Sequence, residues 1–310
     1  MPRAGRGRRA PGLSLRSTSW LAIDGDRRLG PVARVGYLAG NALRNALSRA
    51  PGDLALERFA GAATPADEAA PSPSRLLCER HLASIGLEGF AAAAGGLRMH
   101  EMGCGSGRAG RLASAAAGSP IRYRGFDVAR RAAWDEPMPG ASMAVFDGED
   151  FAGTIAPDDN FFFSQSAAEH IPGDLAYFEA VAKACARAPG PTLQVHYLPA
   201  AACLRLYLFH GLRQYPAAAL RRIAALQAPD ARSAAVALGG PACADVHWRW
   251  ITLPMIRRRP DRRAADPRGY ARELAAAIAS DASAPPVKAM FWAFVVRRGL
   301  DRHPARDHAT

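Results

Sequence analysis

Residues Leu97–Gly110, LRMHEMGCGSGRAG, place four glycines directly after a short apolar run. The apolar residues Leu97, Met99 and Met102 predict a buried strand, and a helix is predicted over Arg108–Ala117. A strand that turns on glycines into a helix directs backbone N–H groups and the positive end of the helix dipole toward one point. Because glycine has no Cβ, a ligand can lie directly on the main chain there. The stretch therefore predicts a cradle for a nucleotide or nucleoside.

From this stretch onward, strands and helices alternate, which is typical of an α/β fold with a parallel sheet and helices on both faces. Further strands are predicted at 121–126, 143–146, 160–164, 192–197 and 289–296. Five regions are expected: a disordered basic arm at 1–30, helices and a linker at 31–96, the ligand-binding core at 97–198, a helical and irregular insertion at 199–288 after the fifth strand, and a closing strand and tail at 289–310. Within the insertion, helices are predicted over Cys203–Tyr215 and Leu220–Leu226.

The composition restricts the partners that we expect. The 310 residues carry a formal charge of +12, yet only Lys183 and Lys288 of the 40 basic residues are lysines. Arginine, alanine, glycine and proline are frequent along the whole chain, which favours a solvated arginine surface over a nucleic-acid-binding face. The five cysteines are odd in number and scattered, which predicts reduced thiols in a cytoplasmic protein and no metal site. No apolar run is long enough for a transmembrane segment, although peripheral contact with a membrane stays open.

The glycine turn has two interpretations. Gly105-x-Gly107-x-x-Gly110 fits the dinucleotide-binding pattern, and Asp127 follows Gly107 by twenty residues, where an acid would bind the ribose. A dinucleotide-dependent oxidoreductase is therefore one alternative. This pattern leaves Glu101 and Gly103 without a role.

The other interpretation uses landmarks over a longer stretch. Glu101-x-Gly103-x-Gly105-x-Gly107 is followed by an acid at the end of the second strand, Asp127. Further landmarks are Asp147-Gly148 after the third strand, Phe163-Ser164-Gln165-Ser166 with Glu169-His170 after it, and the closing apolar strand. In this order they resemble the class I S-adenosylmethionine-dependent methyltransferases. The resemblance covers roughly the central third of the chain and the last strand.

The resemblance implies a Rossmann-like class I methyltransferase sheet with an antiparallel final strand, and S-adenosylmethionine as cofactor. It implies that Asp127 binds the ribose hydroxyls, that Asp147 binds the adenine amino group, and that Glu101 faces the methionine amino group directly or indirectly. The full set of implied cofactor-binding residues is Glu101, Gly103, Cys104, Gly105, Gly107, Asp127, Asp147, Gly148, Ser164 and Gln165. One departure is Asn160, which stands where the family usually has an aspartate.

Two histidines are candidate catalytic bases. His170 follows Glu169 after the fourth strand, and His196 is expected at the carboxyl end of the fifth strand, where open α/β sheets bind ligands. A sulfonium is already an activated methyl donor, so alignment of the reactants is the main task of such an enzyme. We expect methyl transfer to a small molecule, with a hydroxyl of a sugar or glycan, a secondary metabolite or a lipid-linked precursor favoured. A binding protein that keeps the fold without turnover is a further alternative.

Overall fold

The computed structural model describes residues 30–61, 71–206 and 211–300. The expected basic arm before Gly30 and the C-terminal tail after Leu300 lie outside the described residues. The same is true of residues 62–70 in the expected linker and of 207–210 in the expected helix Cys203–Tyr215.

A mixed sheet forms the centre of the described part of the chain. Its strands are β1 (Ala55–Arg58), β2 (Arg98–Met102), β3 (Arg122–Asp127), β4 (Ala141–Val145), β5 (Phe161–Gln165), β6 (Thr192–Pro199), β7 (Arg232–Leu238) and β8 (Phe291–Arg298). They lie in the order β1-β7-β8-β6-β5-β2-β3-β4. Only the pairs that β8 makes with β6 and β7 are antiparallel. The Rossmann-like α/β sheet and the antiparallel closing strand are thus confirmed.

Helices cover both faces of this sheet. They are α1 (Pro31–Leu47), α2 (Pro73–Ser84), α3 (Leu87–Ala93), α4 (Arg108–Ala117), α5 (Phe151–Thr154), α6 (Asp174–Arg187), α7 (Ala217–Ala224), α8 (Pro241–His247), α9 (Leu253–Ile256), α10 (Arg262–Ala265) and α11 (Pro267–Asp281). One apolar layer packs α2, α4, α8 and α11 against the sheet, and the other packs α5, α6 and α7. Within the three described ranges, no helix has both the length and the apolar composition to cross a membrane.

The central strand β5 shows why the sheet is buried on both sides. Phe161 and Phe163 pack in the layer that contains α4, whereas Phe162 packs in the layer that contains α6. All three side chains are fully buried. An unbroken apolar run of this kind is what a central parallel strand requires, because side chains alternate between two covered faces.

The region that was predicted as a helical and irregular insertion, 199–288, contains helices α7 to α11 and also a strand that was not predicted. Arg232–Leu238 is strand β7, which pairs with β1 on one side and with β8 on the other. The predicted helix Cys203–Tyr215 is wrong in its described residues: the 3₁₀ helix Ala201–Arg205 covers its start, residues 211–214 are not helical, and Tyr215 forms a bridge with Ala200. The region 31–96 also contains the unpredicted edge strand β1. Pairing between segments distant in sequence determines these elements.

Candidate functional site

The glycine loop between β2 and α4 is built on left-handed backbone conformations. Gly103, Gly105 and Gly107 have φ values of 78°, 51° and 74°. The N–H groups of Gly103 and Cys104 both donate to the carbonyl of Phe126, at 2.7 and 2.9 Å. The loop is therefore fastened to the end of the neighbouring strand β3, and its conformation is one that glycine adopts without strain.

The three loop glycines have different surroundings. A Cβ on Gly103 would lie 2.2 Å from the Cβ of Ala167, whereas a Cβ on Gly105 would meet no atom within 4 Å. On Gly107 it would lie 3.1 Å from the sulfur of Met143. Gly103 is thus needed for close packing, and Gly105 borders open space where a ligand can approach the backbone.

Asp127 ends β3 beside this loop. Its Oδ2 accepts a hydrogen bond of 2.8 Å from the backbone N–H of Gly105. Its Oδ1 has only longer contacts, 3.4 Å each from the Arg131 guanidinium and the N–H of Ala129. The structure therefore brings together the predicted glycine turn and the predicted acid. Both lie at the end of β2, which has β3 on one side and β5 on the other. This is the switch point of the strand order, where open α/β sheets bind ligands.

Glu101 lies beneath the loop and is almost fully buried. The hydroxyl of Tyr123 donates a hydrogen bond of 2.6 Å to its Oε2. Burial raises the pKa of Glu101 to about 8, the hydrogen bond from Tyr123 lowers it, and the charge of Asp127 raises it. A buried carboxyl at a strand end requires a partner, and that partner is Tyr123. The carboxyl retains its proton at pH 7.

Trp134 was not predicted as a site residue. It lies in the 3₁₀ helix Ala132–Asp135, and its indole N–H donates to the carbonyl of Gly105 at 2.6 Å. Trp134 also lines a surface cleft of about 390 Å³ together with Met138 and Met143. The available sequence signal was its position as an aromatic residue seven residues after Asp127.

The segment after β4 carries the next predicted residues. Asp147 and Gly148 are exposed. Asp150 caps α5 by accepting a hydrogen bond from the N–H of Gly153, so its carboxylate already has a partner within the protein. At the same edge, the apolar side chains of Val128 and Val145 are 70% and 56% exposed. Asp147 and Glu149 are both exposed after β4, so either carboxylate is available to a ligand there.

The segment after β5 approaches the glycine loop from the other side. Gln165 ends the strand half-buried, and Ser166 has a φ of 50°, which is uncommon for a residue other than glycine. Ala167 follows and packs against Gly103. His170 is half-buried in the 3₁₀ helix Ala168–His170. Backbone strain of this kind is concentrated at functional sites.

Glu169 belongs to the same turn but points inward. The residue is buried, and its Oε2 has no hydrogen-bond partner among the described residues. Burial raises its pKa to about 8, while its own backbone and Arg213 lower it. Like Glu101, it therefore retains a proton at pH 7.

His196 is not at the ligand-binding edge. It lies inside β6, which continues to Pro199, and it is fully buried between Tyr177 and Phe178. Burial lowers its pKa to about 3, so the imidazole is neutral and inaccessible to an acceptor. Its predicted catalytic role is wrong because the strand is longer than its sequence pattern indicated.

Two predicted cofactor contacts are also corrected. Ser164 is fully buried within β5, where its hydroxyl shares a 2.9 Å hydrogen bond with the imidazole of His196. The thiol of Cys104 is buried, and its N–H is used by the carbonyl of Phe126. Neither side chain reaches the open side of the loop.

Comparisons with known proteins bear on the fold alone. No protein-family model and no curated protein matches the chain. It is similar to phosphoethanolamine N-methyltransferase 2 of Haemonchus contortus in complex with phosphomonomethylethanolamine and S-adenosylhomocysteine, at 15% identity and a TM-score of 0.39 over 66% of this chain and 49% of that one. The chain thus spans about half the length of that enzyme.

Two further solved structures match over more of their length. One is the plantazolicin methyltransferase BamL with S-adenosylhomocysteine and a desmethyl analogue, at 11% identity and a TM-score of 0.43 over 74% of this chain and 90% of that one. The other is the [4+2]-cyclase SpnF, at 12% identity and a TM-score of 0.43 over 85% of this chain and 93% of that one. The strand order shows the fold. What the chain does follows from its own residues.

Proposed function

We propose that the chain binds S-adenosylmethionine at the glycine loop and transfers its methyl group to a small-molecule acceptor. The observation that carries this proposal is the hydrogen bond between Asp127 and the N–H of Gly105, at a loop whose central glycine borders open space. A carboxylate at this position suits a vicinal diol, because two hydroxyl donors meet two acceptor oxygens. The five free, buried thiols are in keeping with a reducing compartment such as the cytoplasm.

The residues around the loop fit the other parts of the donor. Asp147 offers an acceptor for an amino group at the end of β4, and the exposed side chains of Val128 and Val145 offer apolar surface for a flat base. Glu101 lies beneath the loop as a carboxyl that a cationic amino group would ionise. The fit therefore includes a diol, a base and an ammonium group.

The bound sulfonium supplies the activated methyl group. The chain then has to align the acceptor and exclude water. Holding the two reactants in the correct geometry is the main source of the rate enhancement. An acceptor hydroxyl must also lose its proton, and the base that we propose is His170, which is half-buried in the turn after β5. We infer a hydroxyl of a sugar or glycan, a secondary metabolite or a lipid-linked precursor as the favoured acceptor.

A dinucleotide-dependent oxidoreductase is the second candidate. A Cβ on Gly110 would lie 2.7 Å from the ring of Tyr123, which is the close helix–strand packing that the third glycine of the dinucleotide pattern provides. This alternative assigns no ligand to Glu101. Calorimetric titrations with S-adenosylhomocysteine and with nicotinamide dinucleotides separate the two candidates, and binding of only the dinucleotide would overturn the methyltransferase proposal.

Asp127→Ala is expected to weaken the binding of S-adenosylhomocysteine at least tenfold, because it removes both acceptor oxygens proposed for the ribose. Asp127→Asn keeps one acceptor oxygen and is expected to fall between the wild type and Asp127→Ala. Isothermal titration calorimetry measures all three affinities. Asp158→Ala is the matched control, since Asp158 is an exposed acid just before β5 that pairs with Arg122. Unchanged affinity in Asp127→Ala would remove the proposed ribose contact.

A further inference from the structure

A second cleft, which we call the arginine cleft, lies among α1, the start of α6, α7 and residues 212–216. Its volume is about 420 Å³. The guanidinium groups of Arg44, Arg213 and Arg222 line it. Arg44 is distant in sequence from Arg213 and Arg222, so the fold and not a local motif joins the three.

The positive charge in the arginine cleft is only partly compensated. Asp174 is the single acid among the described lining residues. One of its oxygens pairs with Arg213 at 2.6 Å, and the other accepts a hydrogen bond of 2.9 Å from the hydroxyl of Tyr215. Three guanidinium groups thus face one carboxylate whose two oxygens are both engaged.

Arg44 and Arg222 bind only neutral partners among the described residues. Arg44 donates to the side-chain oxygen of Asn41 at 3.3 Å and to the carbonyl of Leu212 at 3.1 Å. Arg222 donates to the hydroxyl of Ser48 at 2.8 Å. Burial, and after it the charge of Arg213, lowers the pKa of Arg44, and the charge of Asp174 offsets part of this effect. An anion in the cleft would relieve this repulsion, and guanidinium groups bind phosphate and carboxylate through paired hydrogen bonds.

The remaining lining is largely apolar. Leu175, Leu212 and Ile223 contribute side chains to the cleft, and Leu175 is 46% exposed. A ligand that combines an anionic group with a short apolar part matches this surface better than a free inorganic ion does.

The arginine cleft lies at the same edge of the sheet as the glycine loop. The N–H of Tyr215 donates to the carbonyl of Pro199, which ends β6 at the carboxyl edge of the parallel strands. Ala167 packs against Gly103, and Pro172 lines the cleft five residues later. At 3.8 Å per residue, those two positions are at most about 19 Å apart. This bound is compatible with one extended acceptor that contacts both regions.

We propose that the arginine cleft binds an anionic group, a phosphate or a carboxylate, of the methyl acceptor. This assignment rests on the proposed methyltransferase function, because it makes the cleft the acceptor half of the site. Arg44 and Arg222 contact the anion, and Asp174 holds Arg213 in place beside them. The acceptor then presents its reacting atom toward the glycine loop.

Calorimetric titration of the full chain with butyl phosphate, butyrate, inorganic phosphate and 1-butanol tests the proposal. Butyl phosphate and butyrate are expected to bind, and the tighter of the two identifies phosphate or carboxylate as the preferred group. Inorganic phosphate, which lacks the apolar part, is expected to bind more weakly than butyl phosphate, and 1-butanol is not expected to bind. The double variant Arg44→Ala/Arg222→Ala is expected to weaken binding of the preferred anion at least tenfold while S-adenosylhomocysteine binds with wild-type affinity. Arg222→Ala alone, at an exposed position, is expected to weaken it at least threefold.

Arg49→Ala is the matched control, because Arg49 is exposed just beyond α1 and, within the described part of the chain, hydrogen-bonds only the carbonyls of Ala46 and Ser48. Equal anion affinity in the wild type and the double variant would overturn the proposal, as would binding of 1-butanol as tight as that of butyl phosphate. If the anion binds through the arginines but S-adenosylhomocysteine does not bind at all, the donor site is wrong. The cleft is then an anion site, and its assignment to a methyl acceptor fails.

Discussion

Gly103→Ala is expected to lower the free energy of unfolding by about 3 kcal/mol and to abolish binding of the donor. The new Cβ would lie 2.2 Å from the Cβ of Ala167, and the backbone φ of 78° is unfavourable for alanine. Overpacking of this kind costs about 1–3 kcal/mol, and the left-handed conformation adds about 1–2 kcal/mol. Urea unfolding followed by circular dichroism measures the stability, and calorimetry with S-adenosylhomocysteine measures binding.

Gly105→Ala is the matched comparison in the same loop. Its φ is also positive, but a Cβ there meets no atom within 4 Å. The expected loss of stability is therefore only about 1 kcal/mol. Donor affinity is nevertheless expected to fall at least tenfold, because the methyl group would occupy the space in which the ligand lies. Full donor affinity in Gly105→Ala would contradict a ligand placed on this glycine.

A second substitution isolates the contact between Gly103 and Ala167. Ala167→Gly removes the Cβ that the new methyl group would strike and leaves the Cα of residue 167 at 3.5 Å, an ordinary contact distance. The double variant Gly103→Ala/Ala167→Gly is expected to recover about half of the lost stability, and the remainder reflects the left-handed backbone. No recovery would show that the packing contact is not the cause.

Much of the central sheet was predictable because each of its elements has a local pattern. The helix after the glycine turn was predicted with the bounds of α4, and the three consecutive phenylalanines identified the buried strand β5. The glycine loop and Asp127 were predicted together because both follow strand ends. Parallel strands align those ends at one edge of the sheet.

The remaining differences come from interactions between distant segments. The alanine-rich sequence of β7 has no strand pattern of its own, and it is extended because β1 and β8 pair with its two edges. The end of β6 also depends on pairing, since Pro199 is held opposite Phe291 of β8. That pairing places His196 inside the sheet, although its sequence position indicated the edge. The arginine cleft could not be predicted for the same reason.

Glu101→Gln is expected to flatten the pH dependence of stability above neutral pH. The buried carboxyl has a pKa of about 8, whereas the unfolded chain ionises it near the ordinary glutamate value. At a pH between these two pKa values, the folded protein holds a proton on Glu101 that the unfolded chain has lost. The free energy of unfolding therefore falls as the pH rises, and this decrease is complete once the pH passes about 8. Between pH 6.5 and pH 8.5 this group lowers the free energy of unfolding by about 2 kcal/mol. The glutamine cannot ionise, and it can still accept the hydrogen bond from Tyr123.

Urea unfolding at several pH values in this window measures the effect. Below this pH window, buried histidines such as His100 and His196 make the stability rise with pH, because burial lowers their pKa to about 3. Glu169→Gln is the matched comparison: its buried carboxyl also has a pKa of about 8, and its side chain borders Gly211. Each single variant is expected to remove about half of the decline, and the double variant most of it. If the free energy of unfolding changed with pH in the same way in the wild type and in Glu101→Gln, the raised pKa of Glu101 would be contradicted.

The same pair of variants tests whether Glu101 faces the amino group of the donor. A cationic amino group beside the buried carboxyl would ionise it, so binding of S-adenosylhomocysteine at pH 7 is expected to release about one proton. Calorimetry in two buffers with different ionisation enthalpies measures this release. Glu101→Gln is expected to abolish it, whereas Glu169→Gln is expected to leave it unchanged, because the Glu169 side chain borders Gly211. Proton release that persists in Glu101→Gln would place the donor's amino group against a different residue.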